Sequence, residues 1–177
     1  MKGLVFTEFL EMVESAHGMD TTDELLEIPT LESGGVYTSV GTYDATELVS
    51  MFACLAEITG SPVDELLTGF GKHLFVRFHS MFPQMFEGKS NVAEFLESIH
   101  DHIHVEVRKL YPEADLPHFT CKKHHPGLLL EYISNRPLAM FALGLIHGCI
   151  AHFGGTETVS FKLLGPKDYT RAEFLVK

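Results

Sequence analysis

Along the first two-thirds of the chain, apolar positions recur at helical spacing. Val5, Phe6, Phe9, Leu10, Met12 and Val13 fall on one face of a predicted helix that Gly18 closes as C-cap. A short second helix is predicted over residues 22–27, with Thr21 or Thr22 as N-cap. Residues 29–43, rich in Gly, Ser and Thr, read as a connection. Asp44 begins a third helix, with Glu47 as capping-box partner and Leu48, Met51, Phe52 and Leu55 on one face. Ser61-Pro62 starts a fourth, with Pro at the first helical position, running to about Phe78. Asn91 starts a fifth, from residue 92 to about 110, which Pro112 stops.

After Pro117 the period changes. Residues 118–123, 128–134, 158–164 and 170–176 have strand character; Thr158, Ser160 and Lys162 alternate with Val159, Phe161 and Leu163. Residues 137–153 lie between them as a buried helix ended by Gly154-Gly155. The expected fold class is α+β: a helical part joined to an antiparallel sheet that carries a helix, in one unit of two lobes.

Composition narrows the function. Thirteen Lys and Arg against 24 Asp and Glu give a net charge of −11, which argues against nucleic acid and anionic membranes as partners. Cys54, Cys121 and Cys149 show no CxxC spacing, so neither a zinc knuckle nor a disulfide framework is expected, and a reducing cytoplasm is. Glu8, Glu11 and Glu14 interrupt the N-terminal apolar run, unlike a signal peptide. The longest apolar stretch, residues 138–153, is too short for a membrane span and carries His147 and His152.

Eleven His, 14 Phe and no Trp raise the question of a metal or cofactor in an apolar cavity. The densest cluster is Glu97-x-x-His100-x-His102-x-His104 on the fifth predicted helix. At ideal pitch His100 and His104 lie roughly 40° apart on one face, with His102 turned away. One alternative is therefore a non-haem metal protein or enzyme using Glu97, His100 and His104. Yet there is no HExxH, and no GxSxG, P-loop or dinucleotide turn is present, so no enzyme is expected. His124 and His125 belong to a hairpin turn; His73 and His79 flank Phe75 and Phe78 beside a possible cleft. Finally, Tyr132, Ser134 and Arg136 end a predicted strand, and at period two they share a side, a donor array suited to carboxylates or phosphates.

Together these features resemble the haem-nitric oxide/oxygen-binding (H-NOX) family, the haem domains of bacterial gas sensors and of soluble guanylate cyclase. The resemblance runs from Met1-Lys2-Gly3 through Met81-Phe82-Pro83, then His104 to Pro112, Pro117, and Tyr132-x-Ser134-x-Arg136. It implies a single domain over residues 1–177, with a helical lobe of about residues 1–60, an α/β lobe of about residues 61–177 and haem b buried between them. It further implies that His104 is the proximal ligand of ferrous iron, that Tyr132, Ser134 and Arg136 bind the propionates, and that Pro117 distorts the porphyrin. Val5, Phe9, Leu74, Phe78, Phe141 and Leu145 would face the gas. Oxygen-binding members carry a distal Tyr five positions after the motif Arg, where this chain has Phe141, so the expected ligands are NO and CO rather than O₂. The partner implied is a separate histidine kinase or cyclic-di-GMP enzyme.

Overall fold

The computed structural model describes residues 1–112, 114–165 and 168–177. Helix α1 spans Gly3–His17 and α2 spans Met19–Leu26. Gly18, at φ 88°, caps the end of one and the start of the other, so α2 begins three residues before the expected Thr22. The Thr21 and Thr22 hydroxyls donate back to the His17 and Gly18 carbonyls instead of capping a new start.

Asp44 caps α3, Ala45–Thr59, by accepting from the Thr46 N–H at 2.8 Å. Glu47 does not complete the capping box. Its buried carboxylate accepts from Ser33 Oγ and from the Tyr37 hydroxyl, at 2.7 Å for the latter, and so fastens the 29–43 connection onto α3. Pro62 is extended and stands just before α4, Val63–Met81, which outlasts the expected end at Phe78. Phe82, which precedes Pro83, leaves the helical region at φ −132°. A pair of hydrogen bonds from the Arg77 guanidinium to buried Glu8 ties α4 to α1.

The predicted single helix over residues 92–110 is broken in a specific way. Helix α5, Val92–Ser98, passes into a π-helical turn, Ile99–Ile103, and then into α6, His104–Leu110. At the junction the His104 N–H bonds the Ile99 carbonyl, five residues back. Apolar periodicity continues through the turn, which is why the pattern reads as one helix.

Strands β1 (His118–His124), β2 (Gly127–Ile133), β3 (Val159–Leu163) and β4 (Arg171–Val176) form an antiparallel sheet in the order β1-β2-β4-β3. Tyr132 pairs with Phe119 on one side and Ala172 on the other. Helix α7, Ala139–His152, enters between β2 and β3 and packs on α4. Their backbones touch: a Cβ at Gly71 would overlap the Phe141 carbonyl, and one at Gly144 the Thr68 carbonyl.

Two apolar cores result. One holds Phe6, Phe9, Phe52, Phe70 and Leu74. The other joins Phe75, Phe95 and Ile146 to Leu130 and Phe174 of the sheet. Helix α4 serves both, with Leu74 in the first and Phe75 in the second.

Candidate functional site

A cavity of about 390 Å³ runs between the two cores, within the roughly 300–1,000 Å³ usual for cofactor and ligand sites. His104 reaches it from the first position of α6, directly after the π turn. The residue is 8% exposed, and Nδ1 is buried with no hydrogen-bond partner among the described residues. Burial, with smaller contributions from Arg108, His100 and His118, pushes its pKa down to about 4. The imidazole is thus neutral near neutral pH, the form that binds iron.

Three polar groups line the cavity as well. Tyr132 is almost fully buried in β2, and burial raises its phenol to about 12, so it stays a donor. The strand ends at Ile133, so period two does not carry on to Ser134 and Arg136. A turn does the work instead: Ser134 Oγ accepts from the Arg136 N–H at 3.1 Å, and the Ser134 N–H donates to Thr170 at 2.8 Å. Both side chains still line the same cavity as Tyr132, and the Arg136 guanidinium donates to Asp115 at 2.8 Å. Pro117 lines it just ahead of β1.

The wall that α1, α4 and α7 contribute includes Val5, Leu74, Phe78, Phe141 and Leu145, and no hydroxyl, amide or charged side chain. Phe9 is not on it. It lies fully buried one layer behind, against Phe52 at 4.4 Å and Phe70 at 5.4 Å between ring centres, and Phe70 stacks in turn on Phe141. Tyr37 and Tyr43 also stay off the wall; their hydroxyls engage Glu47 and the Thr38 N–H.

The alternative set of Glu97, His100 and His104 does not assemble. Glu97 is exposed while His104 is buried. Among the described residues no three His, Cys, Asp or Glu side chains come together as a metal site would need.

Sequence reasoning missed several lining residues. Cys149 is fully buried on the wall, its thiol pushed up to about 12 by burial. Its spacing of four and eight from Leu145 and Phe141 on one helix face was the available signal. Asp115, Lys2 and Tyr111 gave no such signal; Lys2 Nζ sits 4.9 Å from the centre of the Tyr111 ring, joining the chain start to the end of α6.

One buried neutral imidazole with an unpartnered nitrogen, an apolar slot and a guanidinium with two hydroxyls meet the requirements of a haem pocket. Fold and site together define a haem-binding domain. A model of the haem-NO-binding family matches residues 2–162, and the chain belongs to that family, whose H-NOX domains are haem-based gas sensors. The Fe(II) unliganded H-NOX protein from K. algicida is 36% identical with TM-score 0.93, covering 99% of this chain and 95% of that one. The H-NOX protein from Shewanella woodyi, solved with IWP-051 in the Fe(II)CO state, is 41% identical with TM-score 0.83 over 99% and 93%. That from S. oneidensis in the Fe(II)NO state is 29% identical with TM-score 0.92 over 100% and 98%. No curated protein matches.

Proposed function

We propose that this protein is a sensor of NO and CO, not an enzyme, and that it holds ferrous haem b through His104. The observation that carries the reading is the His104 imidazole: neutral, buried, without a protein partner at Nδ1, on the wall of an apolar cavity with Arg136. Tyr132, Ser134 and Arg136 bind the propionates, with charge-assisted bonds from the guanidinium the strongest of them. Pro117 presses on the macrocycle. Val5, Leu74, Phe78, Phe141 and Leu145 surround the gas, and Phe9 braces them from behind.

Haem held by these residues would supply ferrous iron, the centre that takes up the gas and whose bond to His104 would weaken when NO binds. His104 is the residue so released, and α6 is the element freed to move. Residues 1–177 act as one domain, a helical lobe of about residues 1–60 shifting against the remainder. Bound O₂ draws charge from iron and needs a donor beside it, which the apolar wall withholds; bound NO and CO are less polar and tolerate the wall. The acidic surface presents the change to a separate partner in the cytoplasm, a histidine kinase or a cyclic-di-GMP enzyme. Among the described residues, no helix is long and apolar enough to cross a membrane.

The test is an absorption spectrum of the reduced, purified protein beside its His104→Gly variant. A Soret band in the wild type, lost in the variant and restored by free imidazole, is the expected result. Colourless wild-type protein after reconstitution with haem would overturn the proposal.

A further inference from the structure

We infer that His100 is a positioning residue for His104, tied to the Nδ1–H of that ligand through a bridging water. The inference rests on the reading of His104 as the haem ligand and adds the group that sets the strength of its bond.

A histidine that gives one ring nitrogen to a metal carries a proton on the other, and that N–H almost always donates to a fixed acceptor. In His104 the walled-in nitrogen is Nδ1, which leaves Nε2 for the iron. Among the described residues, no side chain and no backbone carbonyl accepts from Nδ1. The usual carbonyl partners one turn back are drawn into the π-helical register, in which the His104 N–H itself bonds Ile99.

A second nitrogen in the same position stands nearby. His100 Nδ1 is likewise buried and without a partner. The two rings are 6.4 Å apart between centres, too far for a direct N–H···N bond, so the link we infer runs through one water. Two buried polar atoms without partners are what a structural water satisfies. The other charged or titratable neighbours of His104 fit the role less well. Arg108 is a donor only, and His118 packs edge to face on His100 at 4.3 Å, with its Nε2 beside the Thr120 hydroxyl. His118 therefore locks the His100 ring against β1 and leaves His100 to accept.

Donation from Nδ1–H makes the imidazole a stronger electron donor to a bound metal. Losing the acceptor weakens the iron–His104 bond, so His100 sets how readily NO breaks it.

Resonance Raman spectra of the reduced holoprotein test this through the iron–histidine stretching band, which packing alone does not move in step with a hydrogen bond. His100→Phe is expected to lower the band and to speed haem transfer to an acceptor protein roughly tenfold. His100→Gln, whose side-chain carbonyl can accept, is expected to hold the band near its wild-type position. In the CO complex of ¹⁵N-histidine-labelled protein, the His104 Nδ1–H proton is expected to exchange slowly in the wild type and rapidly in His100→Phe. A wild-type band unmoved by His100→Phe, or moved equally by both variants, overturns the role of His100 alone. Wild-type protein with no iron–histidine band overturns the reading of His104 beneath it.

Discussion

The Arg136 guanidinium donates to the Asp115 carboxylate at 2.8 Å, so the cation on the cavity wall is held by the loop that follows the His104 helix. Arg136 is mostly buried while Asp115 is half exposed, so the two sides of the pair are not equal in weight. Arg136→Leu removes a charge-assisted bond to a propionate and is expected to speed haem loss roughly 10- to 100-fold. Asp115→Asn loosens the guanidinium without removing it and is expected to change the rate by no more than about fivefold. Haem transfer to an excess of apo-acceptor, followed by absorption, measures both.

Phe141 stacks on Phe70 and faces the cavity without a hydrogen-bond donor near it on that wall. Phe141→Tyr adds one hydroxyl to an apolar surface. A neutral hydrogen bond is worth about 1 kcal/mol, so O₂ affinity is expected to rise about fivefold or more while CO affinity stays near wild type. Oxygen titration of the reduced variant checks this, and unchanged O₂ affinity would count against Phe141 facing the gas.

The α4–α7 contact has no room for a side chain at Gly144, where a Cβ would meet the Thr68 carbonyl and the Gly71 Cα. Backbone cannot swing aside as a side-chain tip can. Gly144→Ala is expected to cost about 1–3 kcal/mol in urea unfolding, the range for overpacked sites. Gly154→Ala gives a contrast: its φ of 65° is strained for alanine, but open space surrounds it, so the cost there is conformational and on the order of 1 kcal/mol.

Acid is expected to destabilise the haem-free protein through His104. Its folded pKa of about 4 lies below the ordinary 6.5, so the unfolded chain binds the proton more readily between those values. Stability is full above about pH 6.5 and falls as pH drops toward 4, by up to about 3 kcal/mol from this group. Urea melts at pH 7 and pH 5 measure the loss, and His104→Leu is expected to lose less between the two.

Much of this was legible in the chain. Helices α1, α3 and α4 and the four strands followed from apolar period and end signals, because each has one face buried and one in water. His104, Pro117, Tyr132, Ser134 and Arg136 are singled out by the resemblance to the H-NOX family, and all line one cavity. The π turn was not legible, since the apolar positions of residues 92–110 suit a continuous helix equally well. The family resemblance puts Phe9 on the wall; its depth behind Phe70 and Phe141 depends on three helices meeting, which no single periodicity encodes. Glu47 left its expected capping role because Ser33 and Tyr37 offered it two hydroxyls from a distant loop.

The most direct measurement is the electron paramagnetic resonance spectrum of the reduced protein with one equivalent of NO and with an excess. Splitting from the NO nitrogen alone, at both ratios, is the expected result and means that His104 has left the iron. A further splitting from a second nitrogen, persisting in excess NO, would mean that His104 stays bound and would contradict the switch.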